Sequence, residues 1–285
     1  MSTRFYNPKT LNETLVLLER YGPDALIVNG GTDAVMFLTE KKVDPEAIIY
    51  IANLPNFHEI LSDESSVYLG GGVTYSEMLA NPVIQKYQGM VDAVMQLASP
   101  PVRAIATPAG NICRAAPSAD GTTILLALRA RVHLVSTRGA RVVELKDFFK
   151  SIYETVCEPN ELVVKIEIPL LKEGEGTGYY RLSRRKAQDI AMVLIGSYVR
   201  MEGGYIKDIS ISLGALNAYV RLAGELERAI IGKTMEEALA YTESVFPVEA
   251  KLRDDFFKEY KKDAVCTAVT RSVERAIINA KGEYV

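Results

Sequence analysis

Residues 25–52, ALIVNGGTDAVMFLTEKKVDPEAIIYIA, decide how this chain begins to fold. The apolar run at 25–29 reads as a strand, and Gly30-Gly31-Thr32-Asp33 follows at once. AVMFLTE at 34–40 then carries helical residues, which makes the glycines a tight strand-to-helix turn. AIIYIA at 47–52 supplies a second apolar strand and completes a βαβ-like start. Upstream, Thr10 and Glu13 have capping-box spacing, Leu11, Leu15 and Leu18 share one helical face, and Gly22-Pro23 ends the helix.

Downstream the same grammar returns in VYLGGGVTYSEMLA at 67–80, with a strand, three glycines, and a second capping box of Thr74 and Glu77. A helical segment should run from there to about Ala98. Residues 99–120, SPPVRAIATPAGNICRAAPSAD, hold four prolines and many small side chains, which predicts a loop or extended chain lying against something, the kind of long loop that is usually functional. After a helix TTILLALRA come RVHLVS and ARVVEL, read as a hairpin with a longer loop around 137–139. ELVVKIEI at 161–168 alternates, with Val164, Ile166 and Ile168 expected inward and Lys165 and Glu167 outward. PLLKEGEGTG at 169–178 clusters Gly, Pro and charge and is the expected boundary. Beyond it, IAMVLIGSYV and DISISLGAL read as strands, while TMEEALAYTESVF and the stretch 253–278 read as amphipathic helices. Strands and helices mix without strict alternation, so the fold class is α+β.

The composition narrows the function. In 285 residues, 33 Lys and Arg stand against 36 Asp and Glu, so there is no positive field to hold a nucleic acid. The longest apolar stretch, 190–199, is shorter than the ~20 residues of a membrane span. Cys113, Cys157 and Cys266 match neither a metal knuckle nor a disulfide framework, which points to a reducing cytoplasm. His58 and His133 lack a Cys or carboxylate at ligand spacing, and no metal site is expected.

Three elements can carry a ligand. In Asn29-Gly30-Gly31-Thr32-Asp33, successive amides can point at an anion with no Cβ in the way, although a lone glycine pair more often makes only a turn. Gly70-Gly71-Gly72 before Thr74 allows close approach of backbone to a flat ring. Thr107-Pro108-Ala109-Gly110-Asn111, with Asp120 nine residues on, offers hydroxyl, amide and carboxylate partners for phosphate and sugar oxygens. Asp120 equally suits the N-cap of the next helix. Together the three suggest a long, bent ligand with a diphosphate in its middle. Arg181, Arg184, Arg185 and Lys186, before Asp189, can face a diphosphate, a ring carbonyl or an acidic partner, or form a solvated turn. Cys113 sits beside Arg114 in the same region, where a thiol is either reactive or simply a small buried residue. No general acid, base or nucleophile stands out, so the chemistry should belong to a cofactor and no catalytic side chain is assigned.

The NGGTDAV turn, the LGGGVTYSEM turn, the TPAGNICRAAPSAD loop, ELVVKIEIP and SRRKAQDIAMV appear in the order seen in the FAD-binding medium subunit of molybdenum hydroxylases. The sequence resembles that family, which includes subunits of xanthine, carbon monoxide and nicotinate dehydrogenases, from Phe5 to about Ile278. The resemblance implies an FAD-binding domain of the vanillyl-alcohol-oxidase type over residues 1–174, with a small lobe to about 57 and a larger lobe over 58–174. A smaller domain of antiparallel strands and helices would follow over 175–285. It further implies that residues 29–33 and 107–111 hold the FAD diphosphate, that Asp120 contacts the adenosine end, that Thr74 lies near the flavin and that Lys186 lies at the ring edge. The chain would work in a heterotrimer or its dimer. It would take electrons from the [2Fe–2S] clusters of a small subunit beside a large molybdopterin subunit, and pass them through FAD to an acceptor such as NAD. Pro108-Ala109 replaces the family's Ile-Gly, which removes one amide donor and implies rearranged diphosphate contacts. The three isolated cysteines cannot supply the extra [4Fe–4S] cluster of some relatives. A stand-alone flavin oxidoreductase and a scaffold with a decayed flavin site are the alternatives, and retained FAD separates the second from the rest.

Overall fold

The structure, a computed structural model, describes residues 3–252 and 257–282. Strand β1 (Arg4–Tyr6) leads to helix α1 (Leu11–Tyr21), whose first turn is capped by the Thr10 hydroxyl accepting from the Glu13 amide at 3.1 Å. The Glu13 carboxylate reaches back to the Lys9 amide at 2.7 Å. Leu15 and Leu18 face the core as expected, but Leu11, on the first turn, is 37% exposed. Strand β2 (Ala25–Val28), helix α2 (Ala34–Thr39) and strand β3 (Ala47–Tyr50) form the βαβ unit, and β3 pairs in parallel with both β1 and β2. A small core of Leu15, Leu18, Ile49, Ile51, Leu54, Phe57 and Leu162 closes this lobe.

Strands β4 (Ile60–Ser62) and β5 (Ser66–Gly70) open the second sheet. The helical stretch predicted to Ala98 is two helices, α3 (Tyr75–Ala80) and α4 (Gln88–Gln96), separated by residues 81–87. Residues 99–120 depart furthest from expectation. They are largely helical, forming α5 (Pro100–Arg103) and α6 (Pro108–Arg114), each with proline at its N-terminus. Proline there removes only an amide that has no intrahelical acceptor, so proline content alone misleads. Helix α7 (Asp120–Ala127) is buried throughout its length. Asp120 is its first residue rather than its N-cap. The capping oxygen is Asn111 Oδ1, which accepts from the Thr122 amide at 3.0 Å and the Thr122 hydroxyl at 2.9 Å.

Strands β6 (Arg131–Ser136) and β7 (Gly139–Glu144) pair from Arg131–Glu144 to Ser136–Gly139, so the hairpin turn is the two-residue Thr137-Arg138. A short ribbon, β8 (Phe149–Ser151) with β9 (Glu154–Thr155), precedes β10 (Leu162–Pro169). The five-stranded sheet runs β4-β5-β10-β6-β7, all antiparallel. The pairing of β10 with β6 shifts register between Val163 and Lys165, which breaks the simple alternation. Val163, Ile166 and Ile168 face the main core, while Val164 packs against the small-lobe core. Glu167, expected in solvent, is 4% exposed and is held by the Ser66 hydroxyl at 3.0 Å, His133 Nε2 at 2.8 Å and Arg131.

The last sheet runs β11 (Glu175–Leu182), β12 (Val193–Glu202), β13 (Tyr205–Gly214) and β14 (Arg221–Leu222), again antiparallel. Glu175 to Gly178, read as linker, are paired strand residues opposite Arg200 to Ser197. Helices α8 (Gly224–Ile230), α9 (Met235–Ser244) and α10 (Lys258–Ala280) follow, and the start of the predicted last helix at 253–256 lies outside the described residues. Helix α10 covers one face of this sheet, and α4 and α7 cover the other. A Cβ at Gly178 would come within 2.0 Å of the Ser272 carbonyl oxygen, and one at Gly89 within 2.8 Å of Gly178 backbone. Two helices therefore close on β11 from opposite sides. Tyr179 and Leu194 accordingly join the core built by residues 67–168, so no gap in packing marks the linker.

Candidate cofactor site

The two lobes and the entry to the last sheet surround a cavity of about 850 Å³. That volume lies in the range of cofactor pockets. Its lining includes Asn29, Gly30, Gly31, Thr32 and Asp33 of the β2–α2 turn, Thr107, Ala109, Gly110 and Asn111 of α6, and Asp120 of α7. Ten of the twelve residues expected from sequence thus meet at one place, although they come from segments some ninety residues apart.

The small lobe is pinned to the larger one by Asn29, whose Nδ2 donates to the Gly71 carbonyl at 2.7 Å and to Thr107 Oγ1 at 3.2 Å. Gly30 permits the approach, because a Cβ there would stand 1.7 Å from the Ile105 carbonyl oxygen. Gly31 adopts φ 72°, the left-handed region that glycine enters without strain. Among the described residues the N–H groups of Gly30, Gly31 and Thr32 donate to no protein acceptor. At the start of α6, Thr107 Oγ1 takes the Gly110 amide at 3.0 Å and Pro108 has none, so the Ala109 amide is left for a ligand.

At the other wall Asp120 is 9% exposed and accepts from the Tyr179 hydroxyl at 2.7 Å, with Arg181 Nε 3.2 Å from the same oxygen. Burial pushes the Asp120 carboxyl above the ordinary carboxylate range, against the pull of Arg181 and Tyr179. Arg181 Nη1 donates to the Gln96 carbonyl at 2.7 Å, and Nη2 donates to the Asp189 carbonyl. Asp189 organises its own loop, accepting from the Arg185 amide at 3.0 Å and pairing with the Arg184 and Arg185 side chains.

Thr74 and Lys186 do not line the cavity. Thr74 instead caps α3, taking the Glu77 amide at 3.2 Å, while Glu77 also meets His58 Nδ1 at 3.1 Å. Lys186 is exposed on the 183–190 loop, and Arg184, Arg185, Gln188, Asp189 and Ile190 line the cavity in its place. Asp120 touches Arg181, whose Nη2 in turn donates to the Asp189 carbonyl in the loop that carries Lys186. Arg181, Arg184 and Arg185, which the sequence offered as cations for a diphosphate, a ring carbonyl or an acidic partner, line the cavity, and so do Arg114 and Tyr75, to which it gave no such role. For Arg181 the two-residue periodicity of β11 adds a further signal, since it places Arg181 on the same face as Tyr179. Both histidines also meet carboxylates, across 19 and 34 residues of sequence, which no local spacing reveals.

Three buried polar atoms on the cavity wall, Asn29 Oδ1, the Tyr75 hydroxyl and Arg181 Nε, make no hydrogen bond among the described residues. Unpaired amides at a glycine turn, a backbone cradle that a Cβ would fill and polar atoms left without hydrogen bonds fit a dinucleotide with a central diphosphate.

The comparisons with known proteins agree. Residues 1–171 match the family described as FAD binding domain in molybdopterin dehydrogenase, and residues 178–276 match the CO dehydrogenase flavoprotein C-terminal domain. The carbon monoxide dehydrogenase medium chain of Hydrogenophaga pseudoflava is 29% identical over 210 residues, 73% of each chain. The nicotinate dehydrogenase FAD-subunit of Eubacterium barkeri is 28% identical over 273 residues, 92% of this chain and 91% of that one. Among solved structures, carbon monoxide dehydrogenase from Hydrogenophaga pseudoflava aligns with TM-score 0.89 at 25% identity, over 98% of both chains. Quinoline 2-oxidoreductase from Pseudomonas putida 86 aligns with TM-score 0.83 at 25% identity, over 99% of this chain and 98% of that one.

Fold and family matches together define a flavoprotein with a two-lobed FAD-binding part followed by a flavoprotein C-terminal part. The chain belongs to the FAD-binding family of the molybdopterin dehydrogenases, oxidoreductases of the xanthine, carbon monoxide and nicotinate dehydrogenase type.

Proposed function

We propose that the chain is the FAD-carrying electron-transfer subunit of a molybdenum hydroxylase, and that it divides into an FAD-binding domain over 1–174 and a C-terminal domain over 175–285. The observation that carries this reading is the meeting of the free amides of residues 30–32, the Ala109 amide and the Asp120–Arg181 wall around one cavity. When bound, FAD supplies the redox chemistry. Asn29 to Asp33, Thr107 and Ala109 to Asn111 bind the diphosphate, and Asp120 with Arg181 orients the end nearest the 183–190 loop. Thr74 and Lys186 act at one remove, through α3 and that loop. Apolar lining such as Leu97, Val102 and Leu162 excludes water from the cofactor.

By analogy with the medium chains it resembles, this subunit receives electrons from the [2Fe–2S] clusters of a small subunit, next to a molybdopterin-bearing large subunit, and delivers them to an acceptor such as NAD. The setting is the cytoplasm, in keeping with three free cysteines. Among the described residues no helix is long and apolar enough to cross a membrane. The deciding experiment is the absorption spectrum of natively purified protein, with analysis of the released cofactor and the co-purifying chains. Flavin bands, released FAD and two partners carrying iron and molybdenum are expected. A colourless chain that takes up no added FAD would instead make it a scaffold, and an active flavoprotein without partners would make it a stand-alone oxidoreductase.

A further inference from the structure

Among the described residues four arginines line the cavity, and three of them are committed to carboxylates: Arg181 to Asp120, and Arg184 and Arg185 to Asp189. Arg114 differs. Its guanidinium carbon lies 3.8 Å from the centroid of the Tyr153 ring and 4.7 Å from that of Phe37, so two aromatic side chains hold it. Its nearest carboxylate, Asp33, is 3.9 Å away and half exposed, and among the described residues its side chain donates no hydrogen bond. A guanidinium has five N–H donors in a planar fork suited to phosphate oxygens. Arg114 lies one helical turn beyond Gly110 and Asn111, on the α6 face that lines the cavity, and Asp33 places it at the end of the glycine turn.

We infer that Arg114 is the cation that pairs with the diphosphate of the bound dinucleotide, held ready by Phe37 and Tyr153. This rests on the flavin reading and adds to it a residue that reads the charge of the ligand. The amides of residues 30–32 and of Ala109 supply donors but no net charge, and Pro108 removes one amide from the first turn of α6. A diphosphate brought into a partly apolar cavity needs a counter-charge, and Arg114 is the cavity arginine not committed to a buried carboxylate.

The test measures FAD and riboflavin affinity of the apo full-length protein for wild type, Arg114→Gln and Arg114→Lys, at low and high salt, together with apo melting temperatures. Arg114→Gln should weaken FAD binding roughly tenfold or more at low salt, by less as salt rises, with riboflavin affinity unchanged because riboflavin carries no phosphate. Arg114→Lys should recover part of the loss, and the apo melting temperatures should agree. Equal FAD affinity in wild type and Arg114→Gln, or equal loss for FAD and riboflavin, would overturn the inference. Wild type that binds neither ligand would overturn the flavin reading itself.

Discussion

Arg181 Nε lies 3.2 Å from Asp120 Oδ1, in an ion pair whose side chains are 3% and 12% exposed, joining the last sheet to the first residue of α7. A buried pair of this kind is worth less than the harm done by removing half of it. Arg181→Met should therefore destabilise the apo protein by about 3–5 kcal/mol in urea unfolding, since Asp120 is left buried without its cation. A change below about 1 kcal/mol would mean that solvent already screens the pair.

Asp120→Ala addresses the cofactor rather than the fold. FAD binding should weaken by about 1–3 kcal/mol if the carboxylate accepts from a cofactor hydroxyl in addition to Tyr179 and Arg181. Titration of flavin fluorescence gives the dissociation constant, and an unchanged value would leave Asp120 as an anchor for Arg181 alone.

Gly30→Ala places a methyl group where the Ile105 carbonyl oxygen stands 1.7 Å away, so the small lobe must move back from α5 and α6. The expected result is a protein that loses FAD on gel filtration while α10 keeps its hydrogen-exchange protection. Gly31→Val should do the same, through the positive φ of that residue. A variant that elutes with one FAD per chain would show that the turn does not face the cofactor.

Gly178→Ala should lower stability by about 3 kcal/mol, because the Ser272 carbonyl and the Ala276 amide of α10 stand where the new methyl must go. Proteolysis of the α10 segment at low denaturant is the direct readout, and wild-type resistance would mean that the helix yields cheaply.

Glu167 makes stability depend on pH. Burial pushes its carboxyl up, but His133, the Ser66 hydroxyl and Arg131 outweigh that and hold it below its ordinary value. A carboxylate lowered on folding contributes stability above its unfolded value of about 4.3, and the contribution is lost as pH falls through the lower folded value. Wild type should therefore lose stability on acidification below about pH 4.3 more steeply than Glu167→Gln, and parallel acid-unfolding curves would remove Glu167 from the account.

The local pattern determined what depends on neighbours in sequence. The caps at Thr10 and Thr74, the parallel start around β2 and β3, the hairpin of β6 with β7 and the tight glycine turn between β2 and α2 all follow from spacing within a few residues. Ten of the twelve expected site residues line the cavity, because the strand-to-helix turn at 29–33 and the first turns of α6 and α7 present polar groups outward at helix N-termini. Tertiary structure decided the rest. Prolines 100, 101 and 108 start helices because their helix faces find a core. Glu167 is buried because strands far apart in sequence supply its partners, and Thr74 turns to its own helix while Arg181 reaches the cavity. A side chain's direction follows from backbone periodicity, but which charge it meets is fixed only when sheets and helices pack and water leaves the space between them.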